Sequence, residues 1–170
     1  QGYSSAASDV YKRQAYKGTR KPMAEELRQQ VPLMKEMLTA MGVTIVEKEG
    51  YEADDLLGTI AKQSEAQGLE VSIVSGDRDL LQLASDHIKI RIPKTKRTGT
   101  EIEDYLAKDV VEKYQVTPLQ FIDVKALMGD SADNIPGVPG IGEKTATALI
   151  VSYGSIENAH DHLEEIKPNR

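Results

Sequence analysis

The stretch Val71-Ser72-Ile73-Val74-Ser75-Gly76-Asp77-Arg78-Asp79 decides how this chain is read. Val71 to Val74 is a short run rich in β-branched aliphatics, which predicts a buried strand. Asp77 and Asp79 follow at its carboxyl end, the place where open α/β sheets bind ligands. Downstream, Leu80, Leu81 and Leu83 predict a short helix. Ile88-Lys89-Ile90-Arg91-Ile92 then alternates as a half-exposed strand should, and a polar turn through Thr98-Gly99 returns the chain. Upstream, a helix is predicted from near Ala53 to Gly68, with Leu56, Leu57, Ile60 and Ala61 facing inward. Val43-Thr44-Ile45-Val46 reads as a further buried strand.

Further out, Pro22 is expected to open a helix whose apolar stripe is Met23, Leu27, Val31, Met34, Leu38 and Met41. Pro32 should kink this helix and Gly42 should end it. Strands separated by helical crossovers predict an α/β fold, a three-layer arrangement around a mostly parallel sheet. After about Lys108 the pattern is helical: Val110 to Tyr114, Pro118 to Met128, Glu143 to Tyr153 and Ser155 to Glu165. Asp109 and Thr117 read as N-caps and Gly154 as a C-cap. The expected division is an α/β core over 15–108 and a helical part over 109–170. Residues 1–14 show no period and are read as a foreign segment. Without an initiating Met, the chain reads as a fragment of a longer protein.

The 170 residues are 39% hydrophobic and include no cysteine, which excludes disulfides and thiolate metal sites and suits a reducing cytoplasm. No apolar run is long enough to span a bilayer, so no membrane partner is expected. The net charge of −6 is the wrong sign for a simple nucleic-acid binder. It conceals basic groups at Lys17, Arg20 and Lys21, and at Lys89, Arg91, Lys94, Lys96 and Arg97, so an acidic pit with basic flanks stays open. Each basic group also reads as a solvated face.

The acids fall in three clusters: Glu52, Asp54 and Asp55; Asp77 and Asp79; Asp130 and Asp133. Singly each has a plain reading, as acids complementing a helix dipole, as turn formers, or as a polar loop. Jointly they suggest one pocket whose repulsion is relieved by cations. Magnesium takes oxygen ligands and keeps several waters, so scattered carboxylates suit it. Two such ions clamp the attacking and leaving oxygens of a phosphodiester. No Ser, Cys or His arrangement offers a covalent nucleophile, and His87, His160 and His162 are given no role. Tyr51 reads as a packing residue, with stacking on a base as the alternative.

Pro136-Gly137-Val138-Pro139-Gly140-Ile141-Gly142 leads into a helix at Glu143. Glycine permits close approach of a phosphate, and a helix N-terminus favours its charge. Lys144 adds a contact indifferent to base sequence. The apolar Ile135, Val138, Ala146, Ala148, Leu149 and Ile150 favour a packed hairpin between helices.

With these residues in view, the sequence resembles the 5′-nuclease portion of bacterial DNA polymerase I, in the structure-specific flap endonuclease family. The match is carried by Tyr16 to Met23, Glu52 to Asp55, Ser75 to Asp79, and above all by Leu127 to Ala146. The resemblance implies a PIN-like nuclease core with a helix-hairpin-helix subdomain that grips duplex DNA and binds a potassium ion. It implies that Glu52, Asp54, Asp55, Asp77 and Asp79 hold magnesium (or manganese), and that Asp130 and Asp133 hold the second ion. Lys17 and Arg20, with Asp77, would act at the scissile phosphate. Gly137, Gly140, Ile141, Gly142, Lys144 and Thr145 would contact DNA. Substrates would be DNA with a 5′ flap or nick and RNA primer–DNA hybrids, handled by a monomer in the cytoplasm, at the nucleoid, with a polymerase domain in the same chain.

The family pattern also has ligand aspartates upstream, on a first strand and in a Phe-Asp segment, which the first fourteen residues do not supply. The 170-residue chain is therefore expected to be weakly active or inactive. Rival readings are a non-catalytic DNA-binding module, a stand-alone nuclease paralogue, and a two-aspartate phosphatase, whose Asp-x-Asp-Gly-Thr signature is absent.

Overall fold

The computed structural model describes residues 17–18, 21–97 and 99–166. Residues 1–14, Arg20 and Thr98, each given a reading above, lie outside them. The chain divides into two compact units. One holds the chain up to Tyr51 together with Asp130–Pro136; the other holds Glu52–Gly129 and the chain from Gly137 onward.

In the first unit, α1 (Glu25–Ala40) starts three residues later than Pro22 predicts. Glu25 and Glu26 occupy its first turn, where carboxylates meet the positive end of the helix dipole. Pro32 lies inside α1, which continues through it. The end is built as expected: Gly42 has φ +79°, and Gly42 and Val43 amides donate to the Thr39 and Leu38 carbonyls at 3.0 Å. Among the described residues of this unit the apolar stripe is not covered. No α1 residue is buried, and Met41 beyond it is 69% exposed. Residues 43–48 form no strand, against expectation. A strand exists through its ladder, and among the described residues this segment has no partner. The unit also contains Asp130–Pro136, a turn between the two-residue strands β4 (Gly129–Asp130) and β5 (Ile135–Pro136).

The second unit opens with α2 (Ala53–Ala66). Leu57 and Ala61 pack inward, whereas Ile60, expected to do the same, is exposed. The sheet is β1 (Val71–Val74), β2 (Ile88–Lys96) and β3 (Gly99–Tyr105), in that order. β1 and β2 are parallel, with Ile73 opposite Ile90, joined through a 3₁₀ turn over Arg78–Leu83. β2 and β3 are antiparallel, with Ile90 opposite Tyr105. The described sheet is thus mixed, because a tight turn rather than a crossover follows β2.

Isoleucines 88, 90 and 92 are buried on one face of β2 while Lys89 and Arg91 between them are not. The basic residues of this strand face acids on β3: Arg91 pairs with Asp104 at 2.9 Å, Lys94 with Glu103 at 2.6 Å, and Lys96 with Glu101. At these three positions the expected basic flank is balanced by its neighbouring strand. Lys94, with Tyr105 and Lys113 also bonding to it, holds the Glu103 carboxyl down at about 2.

Helices α3 (Ala107–Tyr114), α4 (Pro118–Met128), α5 (Glu143–Tyr153) and α6 (Ile156–Asp161) follow. Leu106, not Asp109, caps α3; Asp109 accepts the Leu106 amide at 2.8 Å. Thr117 caps α4 in a reciprocal box with Gln120, and Gly154 ends α5 with φ +84°. One core runs through Ile73, Leu81, Ile88, Ile90, Val110, Phe121, Val124, Ala146 and Ile150, so it continues on both sides of residue 108.

Candidate functional site

The strand-to-helix junction at Asp77 follows from local chemistry. After β1 leaves the sheet, the Ser75 hydroxyl accepts the Asp77 amide at 3.1 Å. Asp77 Oδ1 in turn accepts the Asp79 amide at 2.9 Å, capping the 3₁₀ turn. Leu80 and Leu81 then bury themselves, which fixes the turn and leaves Asp77 exposed at its head. Asp79 pairs with Lys125 Nζ of α4 at 2.9 Å, the two side chains being 41% and 28% exposed.

Glu52 and Asp55 meet at the head of α2, where Asp55 Oδ2 accepts the Glu52 amide at 2.9 Å. Asp54 sits beside them on the exposed first turn. Glu52, Asp54 and Asp55 stand at a helix head, as the dipole reading expects, and Asp55, Asp77 and Asp79 each use one carboxylate oxygen in the contact named here.

In the other unit, Asp130 Oδ1 accepts the amides of Ala132 at 2.8 Å and Asp133 at 3.3 Å. This folds the loop so that Asn134 adopts φ +58°. The Asp133 carbonyl accepts the Lys17 amide at 3.0 Å. The structure therefore joins Lys17 to Asp133 by backbone, a pairing the sequence did not announce; Arg20 is outside the described residues. Among the described residues no three His, Asp or Glu side chains form a group able to hold a metal ion.

The glycine turn divides into positions with different reasons. A Cβ on Gly137 would lie 2.2 Å from the Met128 carbonyl group, so only glycine fits there, and the Val138 amide closes onto Leu127 O at 2.8 Å. Gly140 has φ +80°. Gly142 is different: its φ is −100° and a Cβ there would meet nothing within 4 Å. Neither backbone nor packing requires glycine at the N-cap of α5. Ile141 is half-buried and holds the turn to Val138 at 3.0 Å; Lys144 is exposed and Thr145 half-buried on the first turn.

Sequence reasoning missed Lys125. Its signal was present: α4 is apolar except for Asp123, Lys125 and Gln120, and each of these reaches another element. Asp123 accepts the Ile156 amide at 3.2 Å and Gln120 donates to Gly154 O at 3.1 Å.

Comparison with known proteins agrees with this architecture. Residues 8–115 match the family model for the 5′-3′ exonuclease, N-terminal resolvase-like domain, and residues 116–170 that for the 5′-3′ exonuclease, C-terminal SAM fold. DNA polymerase I of Bacillus caldotenax is 51% identical over 91% of this chain, and that of Bacillus subtilis 48% identical over 89%. The chain spans 17% of the length of each. Among solved structures, bacteriophage T5 5′-exonuclease with bound zinc has a TM-score of 0.71 at 28% identity, covering 91% of this chain and 59% of that one. The catalytic core of Rad2 with DNA substrate shares the fold, with a TM-score of 0.62 at 17% identity over 96% of this chain and 50% of that one. With one model covering more than half of its residues, the chain belongs to the 5′-3′ exonuclease family.

Proposed function

We propose that this chain is the 5′-nuclease portion of a longer protein, hydrolysing phosphodiesters of DNA, and of RNA primers on DNA, at 5′ flaps and nicks. The observation that carries the reading is the pair Asp77 and Asp79, set at the carboxyl end of β1 by their own capping bonds. Its match to DNA polymerase I supports a polymerase domain in the same chain, with primer removal and repair as the setting. On this reading the protein works as a monomer in the cytoplasm, at the nucleoid.

The donor set fits a hard divalent cation. Asp55, Asp77 and Asp79 offer carboxylate oxygen and no sulfur or nitrogen, and magnesium is commonly held by one or two carboxylates, its own waters and substrate phosphates. One T5 relative was crystallised with metal ions and another holds zinc, which supports a divalent ion in this family without selecting magnesium. We assign Glu52, Asp54, Asp55, Asp77 and Asp79 to one ion and Asp130 and Asp133 to a second, with manganese as a substitute. Among the described residues no three of these acids already converge, so ion and substrate would have to draw them together. Bound there, such ions lower the pKa of water and stabilise charge on the phosphate.

The chain's own residues supply the rest. Asp77 and Asp79 hold negative charge at a fixed place on the surface. Lys17 and Arg20 neutralise the strand being cut. Gly137, Gly140, Ile141, Gly142, Lys144 and Thr145 present backbone amides and one charge to the duplex, and the carbonyls of this turn suit a potassium ion. The α/β core over 15–108 cuts and the helices over 109–170 grip.

The test is the double variant Asp77→Asn with Asp79→Asn, assayed for magnesium-dependent cleavage of a 5′-flap DNA and for binding of the same DNA. Loss of cleavage with binding retained is expected. Cleavage by neither protein, with binding by both, is the expectation for a chain lacking the upstream aspartates. The acids are then judged by manganese binding, which the double variant should lose; equal cleavage or equal manganese binding by both defeats the assignment of these acids.

A further inference from the structure

The 3₁₀ turn, α3, α4 and α5 line a partly open pocket of about 110 Å³ in the second unit that none of the roles above uses. Val124 and Met128 give it an apolar floor, and Arg78, Lys125, Tyr114 and Glu143 give it a polar wall. Arg78 stands between Asp77 and Asp79 in sequence, yet its guanidinium makes no hydrogen bond or ion pair among the described residues; Asp79 turns to Lys125 instead. The Tyr114 hydroxyl is buried with no hydrogen-bond partner among the described residues. Its ring is held edge-on to Phe121 at 5.2 Å, so the hydroxyl's position is set by packing. Buried polar atoms are nearly always satisfied, and an orphan beside a cavity calls for an occupant.

The volume equals three or four waters at about 30 Å³ each, or one tetrahedral oxyanion. The donors decide between them. A guanidinium offers a planar fork matched to phosphate oxygens, and an ammonium and a phenol add two further donors. Glu143 is the opposing charge, and Asp79 already balances Lys125, so Arg78 must carry the attraction.

We propose that this cavity is a binding site for a phosphate group, held chiefly by Arg78 with Tyr114 and Lys125 as supporting donors. In the nucleic-acid complex the group is a backbone phosphate next to the acid pair; that source, though not the site, rests on the nuclease reading.

The experiment is calorimetric titration of the metal-free 170-residue chain with inorganic phosphate, against chloride at matched ionic strength. Saturable binding at one site is expected. Arg78→Gln should weaken it about tenfold or more, the value of a charge-assisted hydrogen bond. Tyr114→Phe should weaken it several-fold while leaving the unfolding midpoint unchanged or higher. Asp79→Asn should tighten it, because the negative charge facing Lys125 at 2.9 Å is removed. Absence of saturable binding leaves the cavity to water and overturns the proposal. So does binding that neither Arg78→Gln nor Tyr114→Phe alters, and the isosteric Tyr114→Phe decides if Arg78→Gln fails to fold. Asp79→Asn separates the two readings, since it should weaken manganese binding and any residual flap cleavage while strengthening phosphate binding.

Discussion

Lys125 on α4 lies 2.9 Å from Asp79 at the start of the 3₁₀ turn, an ion pair between residues far apart in sequence. The same Asp79 carboxylate is assigned to a divalent ion, so the ammonium and the metal compete for it. A partly exposed pair of this kind contributes little to stability, about 0–1 kcal/mol. Lys125→Gln should therefore leave the unfolding midpoint nearly unchanged and lower the manganese concentration that half-saturates the chain, read by electron paramagnetic resonance. A higher requirement for manganese would show that Lys125 assists the ion instead.

Gly137 and Gly142 should respond oppositely to alanine. At Gly137 the new Cβ meets the Met128 backbone, which cannot yield as a flexible side chain would, and a loss of about 3 kcal/mol or more is expected in denaturant unfolding. At Gly142 the space is open, so stability should stay within about 0.5 kcal/mol while affinity for duplex DNA falls. Unchanged affinity in Gly142→Ala would remove the hairpin's N-cap from the DNA contact.

Gln120 ties the start of α4 to the end of α5, bonding to the Thr117 amide and to Gly154 O. Gln120→Ala should cost about 1–2 kcal/mol, one capping interaction plus a tertiary hydrogen bond, measured by urea denaturation.

Acid should loosen the β2–β3 edge through Glu103. Its carboxyl, held by Lys94 first and then by Tyr105 and Lys113, titrates at about 2 in the folded chain against an ordinary 4.5. A depressed pKa means the folded state binds its proton later, so this contribution is complete above pH 4.5 and fades as pH falls towards 2. Glu103→Gln should flatten the stability profile in that window and nowhere above it, as followed by thermal melts from pH 2 to 7.

What the sequence disclosed, and what it withheld, has a common cause. The bounds of α4 and α5 were readable to the residue, because Thr117-Pro118 and Gly154 are local signals obeyed within one turn. Ile88 to Ile92 was readable because its alternation matches one buried face. Val43 to Val46 looked like a strand and is not one, since a strand depends on a neighbour that no local pattern reports. The start of α1 was misplaced because Glu25 and Glu26 at the helix head outweigh a proline three residues earlier. At the candidate site, the carboxylates were visible as clusters, but Lys125 with Asp79 and Lys17 with Asp133 are contacts between distant segments.

Helix α4 carries Lys125, which touches Asp79, and Met128, which touches Gly137. Less than one helical turn separates those two anchor points, about 4.5 Å along the axis. The acid pair and the glycine turn are thereby mounted on one short rigid beam, like the jaws of a calliper locked at a single setting. An enzyme so constructed would cut at a constant offset from whatever it clasps, and lengthening its loops would leave that offset untouched.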